Sequence, residues 1–509
     1  MKTIRSLFSI LMLLAIIALA TRPVSANQQA TSFQQQSPAA PTAAPQTCHF
    51  GLAVVIPFAS YDLSTLGIGS YLDFGRIRNS SVPANIDYFR VQYLGGNFAG
   101  LKKAFPVILS RYPGSTWIIG NEPDSEVTYQ DHLLAETYAQ RFFELATIIR
   151  QNDPNAKIGF GAIIQPTPVR IYYLTLAMNK LVELAGGAAQ AHALIDFYPI
   201  HSYILNEAEL YGPDGKSISW GAGVPVGYDP ATWPAPELIH PEWGETYKTY
   251  DINIFKTRVI AFRQWMKDQG EQNKPLWITE YGSLFPAEGN PYLYTSDQDT
   301  ANYMAQTYDF MLGYKDPSIG YAADDNRLVQ KWSWYSLNDT RTHFGGSLYN
   351  PATQRLTVVG ERFFQYDPSL TAVPVTNPDV YVIPGSLVLT PISASTVAGR
   401  ANYKVTVKVA NNISSDRQTG GQVDLYDGAT LIGSVQTMLP RCSGTLQVSY
   451  LMKNLAPGVT HNFTAKVSLL SGNGTDTNLA NNNLAFDPVA LPVATTYPRP
   501  SAYFPLAKK

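Results

Sequence analysis

Between residues 48 and 370, short apolar runs rich in β-formers alternate with segments that carry helical spacing, and this alternation constrains the fold of the 509-residue chain more than any other feature. A strand that is followed by an amphipathic helix and then by another strand is returned parallel to its start, so repeated alternation builds a parallel sheet with helices packed on it. Eight runs can be counted, at residues 49–57, 74–79, 88–94, 116–121, 157–164, 195–203, 275–281 and 329–336. Eight parallel strands close a barrel, and roughly 320 residues is within the usual size of such barrels. The expected class is α/β, a (β/α)8 TIM barrel over residues 48–370. Residues 131–150 and 252–269 read as two of its helices; in the second, Ile252, Phe255, Val259, Phe262 and Met266 share one face, and Gly270 supplies the stop.

The pattern changes after a Pro-rich joint at 371–384. From 385 to 490 the apolar period becomes two, as in Tyr403-Lys404-Val405-Thr406-Val407-Lys408-Val409, with turns such as Asp427-Gly428. This predicts a smaller all-β sandwich. Residues 407–412, Asp427-Gly428 and Asn481-Asn482-Asn483 resemble the bacterial cell-adhesion-related Ig-like modules appended to secreted enzymes, which implies a possible cell-wall or surface association. The Pro- and Tyr-rich tail at 491–509 carries no readable role.

The first residues follow the plan of a secretory signal: Lys2 and Arg5, an apolar run at 7–20, then Val24-Ser25-Ala26 as a small-residue cleavage site. The run is shorter than the roughly 20 residues a spanning helix needs, so cleavage is expected, with a secreted or surface-bound product starting near Asn27. Residues 27–47 are Gln, Pro and Ala-rich and read as a linker. A formal charge of −2 without a basic cluster argues against nucleic acid as a partner. Two cysteines, Cys48 and Cys442, are compatible with one bridge or with two buried thiols. The seven histidines are scattered and no His-Glu-x-x-His is present, so no metal or other cofactor is expected. Neither a Gly-x-Ser-x-Gly elbow nor a phosphate loop competes for the chemistry.

Two of the expected strands end in a glutamate. Trp117-Ile118-Ile119-Gly120-Asn121-Glu122-Pro123 is an apolar run halted by proline, which leaves Asn121 and Glu122 at the barrel rim. Leu276-Trp277-Ile278-Thr279-Glu280-Tyr281-Gly282 repeats the arrangement. These are the fourth and seventh strands, whose ends face one another across a barrel mouth, and that mouth is where barrel enzymes keep their active sites. Glycosidic bond cleavage needs one carboxylic acid to protonate the leaving oxygen and one carboxylate to attack or stabilise the sugar carbon, and two rim glutamates meet that need.

At these motifs the chain resembles the clan A glycoside hydrolases, retaining enzymes with an acid/base Glu after Asn on strand four and a nucleophile Glu on strand seven. The resemblance implies that Glu122 is the acid/base, that Glu280 is the nucleophile and that Asn121 binds the sugar 2-hydroxyl. It implies further that His201-Ser202-Tyr203 is the His-x-Tyr of strand six, with Tyr203 orienting Glu280. Arg76 or Arg78, read as sharing one face of strand two, would keep Glu280 ionised. Trp332 or Trp334 on strand eight would stack on sugar. The pattern departs at strand three, where some families of the clan have a His and residues 88–96 have none.

A segment between Tyr203 and Tyr250 holds Trp220, Trp233, Trp243, Tyr211, Tyr228 and Tyr247, and reads as a wall of a substrate cleft. The expected function is hydrolysis of a poly- or oligosaccharide outside the cell. Two other readings share the scaffold: a non-catalytic carbohydrate-binding or adhesion protein, and a transglycosylase in which sugar replaces water as acceptor. Asp124 and Glu126 are expected to favour the positive N-terminus of the next helix, and Asp324 and Asp325 to be solvated.

Overall fold

A computed structural model describes residues 48–55, 61, 63–80, 82, 84, 86–127, 130–207, 221–237, 249–284, 296–339, 345–366, 378–411, 416–442 and 444–492. The expected signal, the linker at 27–47 and the tail from 493 onward lie outside the described residues, as do Tyr211, Trp220, Trp243 and Tyr247.

Eight parallel strands form one sheet: β1 (Phe50–Ala53), β2 (Ser70–Leu72), β3 (Asp87–Gln92), β4 (Thr116–Ile119), β5 (Lys157–Phe160), β6 (Tyr198–His201), β7 (Leu276–Tyr281) and β8 (Lys331–Tyr335). Their order is β5-β4-β3-β2-β1-β8-β7-β6, and a parallel bridge between Gly159 and Phe197 joins the two ends into a barrel. Across this seam the amides of Phe197 and His201 donate to the carbonyls of Ile158 and Ile163, and the amides of Phe160 and Ala162 donate to the carbonyls of Phe197 and Pro199, the proline having no N–H of its own to contribute. Gly159 permits the close approach, because a Cβ there would lie 2.6 Å from the Phe197 ring.

Around the barrel run α1 (Phe98–Arg111), α2 (Ala135–Asn152), α3 (Pro168–Ala185), the short α4 (Ala188–Ala193), α5 (Ile252–Asp268), α6 (Asp297–Gly313) and α7 (Val358–Gln365). Both helices expected from spacing are present, as α2 and α5. The α5 start is capped by the Asp251 side chain, which accepts from the Asn253 amide at 2.7 Å. Gly270 follows the α5 end with φ +78°, the left-handed stop that glycine adopts at no steric cost.

Strand residues alternate between two cores. Outward residues such as Ile119, Tyr198, Ile200 and Ile278 pack under the helices. Inward residues fill the barrel, where Trp277 stacks on Phe89 at 4.8 Å and on Phe197 at 3.9 Å between ring centroids. Lys331 stands over the Phe89 and Trp277 rings and pairs with Asp87 at 2.7 Å, which compensates a buried ammonium.

The second strand is displaced from its expected place. It is Ser70–Leu72, whereas residues 74–79 form bends in which Phe74 has φ +59° and Ile77 is 71% exposed. Phe74-Gly75-Arg76-Ile77-Arg78 imitates a period-two strand. The true strand is three residues long with a small serine, too short to show a period. Ser70 belongs there because Gly51, Ser70 and Ser333 meet inside the barrel, where a Cβ on Gly51 would lie 2.6 Å from the Ser70 hydroxyl.

The C-terminal strands are β9 (Val380–Val382), β10 (Val388–Ala394), β11 (Ala401–Asn411), β12 (Thr419–Asp427), β13 (Thr430–Leu439), β14 (Thr445–Leu455), β15 (Thr460–His461), β16 (Phe463–Leu469), β17 (Asn483–Ala485) and β18 (Val489–Ala490). One antiparallel sheet runs β10-β11-β14 with β9 on β11, and a second runs β13-β12-β16-β17; β15 pairs with β18. Val405, Val407 and Val409 of β11 meet Val423 and Leu425 of β12 and Val467 of β16 in a dry core, as the period of two requires. The fold is a TIM barrel followed by a β-sandwich.

A disulfide between Cys48 and Cys442, with Cα atoms 5.3 Å apart, joins the start of β1 to the β13–β14 turn. Beside it Arg441 stacks over Phe50 and Phe363, at 4.3 and 4.7 Å from the ring centroids, and donates to the carbonyls of Phe363 and Tyr366. His49 lies between Asp416 of the sandwich side, at 2.6 Å, and Asp324 of the barrel, at 3.5 Å. Asp324 is thus buried and paired, with Arg327 as its other partner, rather than solvated. The sandwich is bolted to the barrel at the N-terminal end of β1, away from the ends of β4 and β7. Among the described residues no helix is long and apolar enough to cross a membrane.

Candidate active site

After β4 the chain turns sharply through Gly120, at φ +94°, and Glu122, at φ +45°. A Cβ on Gly120 would lie 2.9 Å from the Tyr138 ring, so glycine is required there for space as well as for φ. A non-glycine residue in the left-handed region carries about 1–3 kcal/mol of strain and persists only where its surroundings over-determine it. Here they do. The Glu122 amide donates to the Ala162 carbonyl at 2.9 Å, and the Ser125 amide donates to the Glu122 carbonyl at 3.1 Å. Asp131 fixes the neighbouring backbone by accepting from the amides of Leu94, Gly95 and Asn121. Burial pushes the Asp131 carboxyl up to about 6 even though those amides favour its ionised form.

Glu280 reaches the mouth through a β-bulge. Ile200 of β6 is paired with Ile278, but the next residue, His201, is paired with Glu280, and an irregularity also separates Ile278 from Tyr281 opposite β8. One extra residue on β7 turns both Thr279 and Glu280 away from the helices while Tyr281 returns to the outer core, where its ring packs against Trp334. Strict alternation from Trp277 would have aimed Glu280 outward. The bulge re-aims it.

The two glutamates meet at His201. Its Nδ1 lies 2.9 Å from Glu122 Oε1 and its Nε2 lies 3.0 Å from Glu280 Oε1. One ring nitrogen of His201, one oxygen of Glu122 and one oxygen of Glu280 lie within 4.8 Å of one another, so the two glutamates approach at least that closely. The Tyr203 hydroxyl donates to the other Glu280 oxygen at 3.0 Å. A neutral imidazole can donate to only one of two acceptors, whereas imidazolium donates to both. Burial opposes charge on His201, but Glu280 and Glu122 more than offset it and raise the ring to about 10. At neutral pH the ring between the two glutamates is therefore an imidazolium. Burial, then Glu280 and Glu122, also push the Tyr93 phenol up, which places Tyr93 beside the same charges.

Other expected site residues fall elsewhere. Asn121 is buried next to Glu122, its amide donating to Gln130 Oε1 at 2.8 Å. Arg76 is exposed and reaches Gln92 at 3.4 Å, while Arg78 donates to the carbonyls of Ile86 and Val82. Both sit in the bends after β2, and the cation on Glu280 is His201. Trp332 and Trp334 face away from the mouth: Trp332 stacks on His49 and meets Phe50 edge-on, and Trp334 donates to the Gly346 carbonyl at 2.7 Å beneath Tyr281. With Trp332 and Trp334 outward, alternation along β8 puts Lys331, Ser333 and Tyr335 inside. Tyr335 is the aromatic of β8 at the mouth, ringed by Tyr203 and Phe74, with its hydroxyl 2.8 Å from Asp339 Oδ2. Asp124 is no helix-end residue either; it is fully buried against Arg170. Of the aromatic segment, Trp233 packs edge-on to Tyr172 of α3 and to Tyr228.

No protein-family model and no curated protein sequence matches the chain. Solved structures do. A GH128 (subgroup II) endo-β-1,3-glucanase from Pseudomonas viridiflava aligns at 15% identity over 62% of this chain and 96% of its own, with a TM-score of 0.37. A glucosidase from Croceicoccus marinus aligns at 10% identity over 81% of this chain and 94% of its own, with a TM-score of 0.37. The CARDB domain of a Pyrococcus furiosus protein aligns at 18% identity over 23% of this chain and 96% of its own, with a TM-score of 0.17. These are likenesses of fold.

Proposed function

We propose that the protein is a retaining glycoside hydrolase in which Glu122 is the general acid/base and Glu280 the nucleophile. The observation that carries this reading is the closeness of the two glutamates: an oxygen of one lies within 4.8 Å of an oxygen of the other, which suits double displacement, for which the carboxyl groups stand about 5–5.5 Å apart. Glu280 accepts from the Tyr203 hydroxyl and lies against His201 Nε2, whereas Glu122 meets His201 Nδ1, which supports Glu280 as the attacking group and Glu122 as the one that exchanges the proton.

In the first step Glu122 gives its proton to the glycosidic oxygen as a Glu280 oxygen bonds to the anomeric carbon, and the leaving sugar departs with that proton. In the second, Glu122 takes a proton from water as the water oxygen attacks the same carbon, and Glu280 leaves as carboxylate. Asn121, beside Glu122, would bind the 2-hydroxyl. Tyr335, not Trp332 or Trp334, is the platform on strand eight. An extracytoplasmic setting is supported by the Cys48–Cys442 bond, since disulfides persist in oxidising compartments. The substrate is a poly- or oligosaccharide.

The test is a panel of laminarin, cellulose, xyloglucan, xylan and mannan incubated with wild type and with Glu280→Ala. Reducing ends released from at least one glycan by the wild type and by none with the variant are expected. If the wild type leaves every glycan intact, the enzyme reading fails and a carbohydrate-binding role replaces it.

A further inference from the structure

Behind the site lies a fully buried charge cluster that the chemistry above does not use. Arg170, in the first turn of α3, donates through Nη1 to Asp124, through Nε to Glu207 Oε1 at 2.9 Å, and through Nη2 to the carbonyls of Gly223 at 2.7 Å and Ala222 at 3.2 Å. None of the three charged side chains is exposed. Each arm of this fork ends on a different mouth segment. Asp124 is two residues beyond Glu122, and its other oxygen accepts from the Ile164 amide at 3.3 Å. Glu207 is four residues beyond Tyr203 and also accepts from Gln165 and from the Glu237 amide. Gln165 in turn accepts from Arg258, which donates to the Tyr203 carbonyl at 2.8 Å.

A helix surface residue needs none of this. Burying a guanidinium and two carboxylates is expensive unless every lone pair and proton is matched, and such clusters specify geometry more than they add stability. Arg supplies a planar fork that lysine cannot reproduce. We propose that Arg170 is a positioning residue which fixes the Glu122 turn through Asp124 and the Tyr203 segment through Glu207, holding acid and nucleophile in register. This rests on the glycosidase reading. The two arms then act on separable steps. Loosening the Asp124 arm displaces the acid, which matters only for leaving groups that need a proton. Loosening the Glu207 arm displaces the hydroxyl that orients Glu280, which matters for every leaving group.

The experiment measures kcat/KM of Arg170→Lys, Asp124→Asn and Glu207→Gln on two probes: an unsubstituted oligosaccharide of the glycan the wild type cleaves, and the 2,4-dinitrophenyl glycoside of its released disaccharide, whose phenolate leaves unprotonated. Because kcat/KM reports the first irreversible step, the base role of Glu122 in deglycosylation does not enter. A displacement near 1 Å lowers rates by about 100-fold, so Asp124→Asn is expected to lose on the order of 10- to 100-fold on the oligosaccharide and little on the dinitrophenyl probe. Glu207→Gln is expected to lose on both alike, and Arg170→Lys to combine the two. Thermal unfolding of each variant accompanies the kinetics; where Arg170→Lys does not fold, the two single-arm variants decide. Folded Asp124→Asn with an unchanged ratio between probes overturns the inference while the glycosidase reading stands, and a wild type inactive on both overturns both.

Discussion

His201 Nε2 lies 3.0 Å from Glu280 Oε1 while the opposite nitrogen of the same ring contacts Glu122, so one buried imidazolium spans the two glutamates. With the ring raised to about 10, its charge is retained across the physiological range. The stability this charge confers is complete below the ordinary histidine value of about 6.5 and disappears as pH rises through about 10. His201→Gln, which keeps one donor and no charge, is expected to lower the unfolding temperature at pH 7, and the gap from wild type is expected to narrow above pH 10. Differential scanning fluorimetry across pH 6 to 10.5 measures both.

Tyr203→Phe removes one donor from Glu280 and leaves the ring packing. A hydrogen bond to a charged group contributes about 1.5–3 kcal/mol, so kcat/KM is expected to fall by roughly 10- to 100-fold with little change in KM. Steady-state kinetics on the cleaved glycan show it.

Strand β8 separates stability from binding. Trp334 is wholly buried under Tyr281 and Tyr303, so Trp334→Ala is expected to lose about 3–5 kcal/mol of unfolding free energy. Tyr335→Ala is expected to raise KM and lower kcat while unfolding changes less. Denaturant titrations of the two variants next to their kinetics test the assignment.

The junction of barrel and sandwich has its own signature. The Cys48–Cys442 bond closes a loop of 394 residues, for which chain entropy gives about 6 kcal/mol. Burial opposes charge on His49, but Asp416 and Asp324 raise it to about 9. Its contribution is present below about pH 6.5 and is lost as pH rises through about 9. Urea unfolding with and without reductant, at pH 6.5 and pH 10, is expected to show the reduced protein at pH 10 as the least stable of the four.

Much of this was legible in the residues. Apolar period and helix stops placed seven of the barrel strands within a few residues, because each carries bulky apolar side chains on the face turned to the helices. The second was not legible: Ser70-Tyr71-Leu72 is too short for a period, and the alternating 74–78 stretch lies in bends with Ile77 outside. Glu122 and Glu280 could be picked as strand-end carboxylates, but the bulge that turns Glu280 inward depends on pairing between β6, β7 and β8, which no local pattern encodes. The same dependence moved the β8 aromatic from Trp332 or Trp334 to Tyr335. No local pattern marks Arg170 or Glu207, because their burial comes from contacts with segments distant in sequence, at Asp124, Gln165 and 222–223.

The claim that Glu122 and Glu280 divide the chemistry is tested most directly by azide rescue followed by proton NMR of the product. Azide is a nucleophile that needs no base. With Glu280→Ala it is expected to take the vacated face of the sugar and yield a glycosyl azide of inverted anomeric configuration; with Glu122→Ala it is expected to intercept the intermediate and yield the retained one. Azides of the same configuration from both variants, or wild-type hydrolysis that releases the inverted sugar, would contradict the account.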